Sequence, residues 1–195
     1  MKFSEIKSAL KNKTVGIAGC GGLGSNCAVA LARIGIGKLV IADFDVIEES
    51  NLNRQYFFFD QIGKYKASTL KENLLRVNPI VTVEDHVIKL TPKDIVELYK
   101  DCDVIVEAFD KAEMKEMIVE TVLSEFPNKK IVCGVGLAGW GGNNLIKTEQ
   151  YRKLYIVGDR TSETNEDNPP LAPRVGVVSN MMANVVLEIL LGNDK

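Results

Sequence analysis

The sequence predicts an α/β protein: a mainly parallel sheet flanked by helices, with a C-terminal β-pair and a final helix. Three observations predict it. Residues 14–43, TVGIAGCGGLGSNCAVALARIGIGKLVIAD, read as strand, glycine loop, helix and second strand. Further along, short apolar runs alternate with helical-period stretches, the pattern of parallel strands joined by crossover helices. Two of the apolar runs close on an acid, at Asp43 and at Asp110. Carboxyl ends of strands are where open α/β sheets bind ligands.

The first unit is the most informative. Val15, Ile17 and Ala18 make a short apolar run. Gly19, Gly21, Gly22 and Gly24 follow within six positions, and the helical pattern opens at once through Ala28, Val29, Leu31 and Ala32. Glycines let the backbone turn tightly and approach a phosphate, and the next helix offers free N–H groups to that anion. Asp43, about 20 positions on, is placed to accept hydrogen bonds from ribose hydroxyls. Strand, loop, helix and acid together indicate a nucleotide-binding, Rossmann-like core; the alternative is a tight βα turn with no ligand.

The remaining elements follow in order. Residues 1–11 suit a short helix with Phe3, Ile6 and Leu10 on one face, covering the domain edge or meeting a second subunit. Gly35 or Gly37 caps the first core helix. Residues 44–55 form a polar segment leaving the carboxyl edge and carry Asn51, Arg54 and Gln55. Arginine there suits triphosphate oxygens, because its fork makes paired hydrogen bonds; a solvated loop is the plainer reading. Lys64 and Lys66 open a helix that ends at Asn78-Pro79. Cations in a first turn oppose the helix dipole, so a bound phosphate or solvent must compensate.

Residues 80–87 read as a strand ending near His86, the only histidine, which reads as a surface residue rather than a base. Thr91-Pro92-Lys93-Asp94 starts a helix, with Thr91 as N-cap. Residues 103–108, DVIVEA, suit a buried parallel strand. Asp110 behind it reads as the N-cap of the helix 111–125 or as a ligand of Mg²⁺, which favours carboxylate plus phosphate oxygens, and both can be true of one residue. A strand spans 130–135, and five glycines crowd residues 134–142 around Trp140. Residues 145–148 and 154–157 form the β-pair around a polar turn. Residues 159–173 are a long polar loop whose one core residue is Leu171, of a length typical of lids and binding segments. Residues 174–191 make the last helix, capped by Gly192.

The totals bound the class. The 195 residues suit one domain spanning 1–195 with a full core. A net charge of −2 gives no pointer to nucleic acid or membrane. No apolar run reads as long enough to span a bilayer and the N-terminus does not read as a signal peptide, so the expected location is cytoplasmic. Cys20, Cys27, Cys102 and Cys133 form no CxxC pair, which argues against structural zinc and a disulfide framework.

The GxGGLG loop, LVIADFDVIEESNLNRQ, the lysine pair before a helix, the NP stop and DVIVEAFD resemble, in order and spacing, the ThiF/MoeB/HesA family. These are adenylating enzymes related to ubiquitin-activating enzyme. The likeness runs from about residue 14 to 135, with a weaker echo in the last helix. The short length and the YIVGD…APRVG tail look closest to compact ThiF-like proteins of thiamine biosynthesis.

The resemblance implies ATP and Mg²⁺ as cofactors, and transfer of AMP to the C-terminal glycine carboxylate of a small ubiquitin-like sulfur carrier ending in Gly-Gly. By motif, Gly19, Gly21, Gly22 and Gly24 would line the nucleotide and Asp43 would hold the ribose. Asn51, Arg54, Gln55 and Lys66 would contact the triphosphate, and Asp110 would bind Mg²⁺. A homodimer is also implied. Many relatives carry two zinc-binding CxxC pairs; this chain has none, so no zinc is expected. Loop 159–173 has no cysteine of the kind that links some relatives to their carrier, so adenylation alone is expected. An arginine that some relatives lend across a dimer has no clear match.

Three other classes remain. A tRNA-modifying dehydratase of the same fold also activates a carboxylate with ATP, but would want basic clusters. An NAD-dependent oxidoreductase would need a hydride-transfer acid/base pair, which the chain does not offer. A binding scaffold would have no use for the set Arg54, Lys66 and Asp110.

Overall fold

The structure, a computed structural model, describes residues 1–192. Helix α1 (Phe3–Leu10) leads into β1 (Thr14–Ala18), α2 (Gly22–Ile34) and β2 (Lys38–Ala42). Then come α3 (Lys66–Val77), β3 (Thr82–His86), α4 (Pro92–Tyr99), β4 (Val104–Glu107), α5 (Ala112–Glu125) and β5 (Lys130–Gly134). The chain closes with β6 (Lys147–Tyr151), β7 (Leu154–Gly158) and α6 (Ala172–Leu191). The seven strands lie in the order β3-β2-β1-β4-β5-β7-β6. All neighbours are parallel except β6 against β7. The predicted α/β, Rossmann-like sheet with its terminal β-pair and last helix is therefore the observed fold.

Strand order reverses on either side of β1, so the chains leaving β1 and β4 part and open a crevice at the carboxyl edge. Alternation along the central strands divides the core in two. Val15 and Ile17, Leu39 and Ile41, and Val104 and Val106 point to the layer that includes residues of α1, α2, α3 and α6. Ala18, Val40, Ala42, Ile105 and Ile131 point to the layer of α4 and α5. Burial on both faces explains why these strands read as continuous apolar runs.

Local expectations hold where the chemistry is local. Thr91 and Asp94 form a capping box at α4, and Gly35 and Gly192 end α2 and α6 in the left-handed conformation. Differences have physical causes. The strand expected at 80–87 is shortened to Thr82–His86, because Val81 N–H donates to Asn78 O and Ile80 N–H to the Asn78 side chain, forming a turn. The β-pair is longer than the sequence suggests. Strand β6 continues to Tyr151 around a two-residue turn at Arg152 and Lys153, with Arg152 at φ 57°. As an almost fully exposed edge strand, β6 carries no apolar signal. Helix α6 starts at Ala172 rather than 174, because a proline is tolerated in a first turn.

One expectation is corrected by α6. Among the described residues, Ala172–Leu191 is long and apolar enough to cross a membrane by length and composition. Arg174, Ser179, Asn180, Asn184 and Glu188 break the linear run without lowering the mean hydropathy enough to hide it. The helix packs on α2 and across β4, β5 and β7, so its apolar stripe serves the protein core.

Tyr99 locks the far face of β1. Its ring lies where a Cβ on Gly16 would stand 2.5 Å from Cδ1, and its buried hydroxyl donates to Ile17 O at 3.1 Å. Tyr99→Phe is expected to cost about 1 kcal/mol, the net worth of a buried hydrogen bond. Urea unfolding checks this: the midpoint falls while the m-value stays unchanged.

Candidate active site

The glycine loop between β1 and α2 is shaped by contact with its own backbone. Gly19 has φ 94°, and its N–H donates to Ala42 O at 2.9 Å. A Cβ on Gly24 would stand 1.8 Å from Gly19 O, and one on Gly19 would stand 2.8 Å from Ala108 O. Neither position admits a side chain while the loop keeps this shape. Helix α2 begins at Gly22 without a side-chain cap, which leaves first-turn N–H groups free for an anion.

Asp43 follows β2 directly. Its Oδ2 accepts from Cys20 N–H at 2.6 Å and its Oδ1 from Asp45 N–H at 2.8 Å. Burial pushes its carboxyl up, against the pull of those two bonds and of Lys66. Carboxylate oxygens accept more than one bond, so capacity remains for a ribose hydroxyl. A cleft of about 420 Å³ lined by Asp85, His86, Ile88, Asp94 and Leu98 opens at the end of the neighbouring strand β3. His86 itself pairs with Glu84 at 3.0 Å, in keeping with a non-catalytic residue. A larger groove of about 740 Å³, between α4 and α5, is lined by none of the predicted site residues.

The polar segment after Asp43 is fastened to the first turn of α2. Asn26 Nδ2 donates to Gly22 O and Arg54 O, and Tyr56 N–H donates to Ser25 Oγ. Arg54 is half-buried and extends past Gly22; its guanidinium donates to Ser50 O and Asn53 Oδ1. Burial lowers its pKa, and the negative charge of Asp110 opposes that. Gln55 is buried beside Gly21 with its Oε1 unpartnered. Asn51 is turned inward, accepting Glu48 N–H at 3.1 Å, and makes part of a 3₁₀ turn.

Lys66 is buried at the first position of α3 and meets Asp45 Oδ2 at 3.1 Å. Asp45 is therefore the negative group that offsets this first-turn cation, a role the sequence left to phosphate or solvent. Lys64 precedes the helix and is exposed. Asp110 is exposed in the bend between β4 and α5. It is not the N-cap of α5; Lys111 holds that position. The capping alternative for Asp110 is corrected.

Sequence reasoning missed the anchor of loop 159–173. Leu171 is only partly buried, whereas the side chain of Asp159 at the start of the loop is covered and ion-paired with Arg174 in the first turn of α6. Arg174 also donates to Gly141 O, and Asn53 Nδ2 donates to Pro170 O at 3.1 Å. The loop is thus pinned beside Arg54 and to the glycine-rich segment. The available signal was an arginine opening an otherwise apolar helix.

The family match is to ThiF, over residues 3–195. The chain belongs to the ThiF family. The adenylyltransferase and sulfurtransferase UBA4 of Eremothecium gossypii is 32% identical over 190 residues, covering 94% of this chain and 42% of its own. This ThiF-family chain spans less than half the length of the curated relatives it matches first. Among solved structures, the E. coli tRNA N6-threonylcarbamoyladenosine dehydratase TcdA in complex with ATP superposes with a TM-score of 0.86 at 18% identity, over 97% of this chain and 90% of that one, a likeness of fold. E. coli MccB with AMPCPP and MccA gives a TM-score of 0.73 at 25% identity, over 95% of this chain and 57% of that one.

The Asp159–Arg174 pair makes a testable pH signature. Burial raises the Asp159 carboxyl, but N–H donors at Ser162 and Thr161, the Ser162 hydroxyl and Arg174 together outweigh burial and hold it at about 2, below 3.8. A depressed carboxyl contributes stability above its unfolded pKa and loses it as pH falls through the folded value. At neutral pH, Asp159→Asn is expected to cost about 3 kcal/mol, because Arg174 is left buried without its counter-ion. Urea titrations should show the gap to wild type closing as pH falls from 3.8 toward about 2.

Proposed function

We propose that this protein is an ATP-dependent adenylyltransferase that activates the C-terminal glycine carboxylate of a small ubiquitin-like sulfur carrier. The observation that carries the reading is convergence on one crevice. The uncapped start of α2, Asp43, Arg54, Lys66 and Asp110 come from five chain segments and gather at the carboxyl edge around β1 and β4. The names of the relatives, adenylyltransferases and sulfurtransferases, support the reaction class. So does MccB, whose complexes hold ATP, or AMPCPP with MccA.

The chemistry asks little covalent help of the protein. The attacking carboxylate is already a nucleophile, so no general base is needed. The chain must hold the α-phosphate in line with that carboxylate and offset the charge that develops as pyrophosphate leaves. The glycine loop and α2 bind the phosphate, Asp43 orients the ribose, and Arg54 and Lys66 supply positive charge. Lys66 must then be shared between Asp45 and the nucleotide. A single exposed carboxylate, Asp110, fits a Mg²⁺ that arrives with phosphate oxygens of its own. When bound there, Mg²⁺ would screen the triphosphate.

The carrier we favour is of the thiamine type, with Trp140 and loop 159–173 near its path and a homodimer as the working unit. Sulfur would come from another protein.

ATP–pyrophosphate exchange with Mg²⁺, run with and without a carrier ending in Gly-Gly, tests the reading. Exchange should require the intact carrier. Asp110→Ala and Arg54→Ala should each lower it by about a hundredfold or more, the scale for removing one electrostatic contact to a transition state, with circular dichroism unchanged. A folded Asp110→Ala protein with full exchange would remove Asp110 from the site. Absence of exchange alongside tight NAD binding would replace the reaction class.

A further inference from the structure

Glu107, the last residue of β4, is a fully buried carboxylate inside the sheet. Its Oε1 accepts Phe109 N–H at 2.6 Å, and both its oxygens lie 3.0 Å from Lys115 Nζ. Lys115 reaches in from α5 and also donates to Gly134 O at 2.9 Å, so it ties the ends of β4 and β5 together.

Stability alone is a weak reason for such a pair. Apolar residues of similar bulk usually serve as well, since burying two charges costs about what their attraction returns. Geometry supplies a better reason. By accepting the N–H two residues ahead, Glu107 bends the chain out of β4 immediately. Ala108 still pairs with β1, its N–H donating to Ala18 O at 2.9 Å, and the bend at Phe109 then leads directly into Asp110, three residues after Glu107. One carboxylate thus sets the course of the short segment that ends in the exposed acid.

We infer that Glu107, held by Lys115, is a positioning residue for Asp110, and through Asp110 for metal-bound nucleotide. The inference rests on the role proposed for Asp110, but not on the identity of the carrier or on turnover.

The test is ATP affinity of the whole protein by calorimetry, with and without Mg²⁺, for wild type, Asp110→Ala, Glu107→Gln and the double variant Glu107→Leu/Lys115→Met. Wild type should bind ATP more tightly with Mg²⁺. The double variant should lose about tenfold of that gain, as outer-shell partners of a metal ligand do, and so approach Asp110→Ala. Its metal-free affinity should stay within about twofold of wild type. Glu107→Gln keeps an acceptor for Phe109 N–H and should lose less; it also serves if the double variant does not fold. A folded variant with the wild-type Mg²⁺ gain would overturn the inference. So would equal losses with and without the metal, which mark general damage, and so would a wild type indifferent to Mg²⁺. If the Mg²⁺ pattern holds but no carrier supports pyrophosphate exchange, the proposed reaction fails while the role of Glu107 stands.

Discussion

Contact between Gly24 and the carbonyl of Gly19 is the constraint on which the site depends. A methyl group at Gly24 would overlap that oxygen, and the loop would have to open. With hydrogen only, α2 starts four residues after β1 and its N-terminus is held over the switch point of the sheet. The neighbouring segments are built onto that start. Asn26 and Ser25 fasten the stretch carrying Arg54 and Tyr56. Val175 of α6 reaches within 3.0 Å of where a Cβ on Gly22 would lie, which brings the pinned loop alongside. Ala108 closes the back.

Charge is distributed around this point with a clear division. Lys66 with Asp45, Glu107 with Lys115 and Arg174 with Asp159 each bury at least one charged partner and pair it internally. Such pairs add little net stability, but they hold segments in fixed relation because breaking one leaves a costly unpaired charge. Arg54 and Asp110 differ: Arg54 donates to a carbonyl and an amide oxygen, and Asp110 is exposed. The buried pairs act as framework.

The glycine loop, the acid about 20 positions on, the order of strands and helices and the capping chemistry at Thr91, Gly35 and Gly192 were all legible in the residues. Each depends on neighbours a few positions away, or on a period of two or 3.6 that burial imposes. Edge strand β6 was only partly legible, because exposure on both faces removes the apolar alternation. The cap assignment of Asp110 failed for a similar reason: any polar residue before a helix can serve, and only the actual bend after β4 selects Lys111.

The sequence by itself determined the fold class and the place of the glycine loop at the carboxyl edge of the sheet, since those follow from local periodicity and motif spacing. Tertiary structure alone decided which charges are taken. Asp45 lies 21 positions from Lys66, Asp159 lies 15 from Arg174, and Glu107 lies 8 from Lys115 in a strand that reads as apolar. Ion pairing acts through space over a few ångströms and leaves no periodic trace along the chain. The partners became visible only when the sheet brought the ends of its strands together.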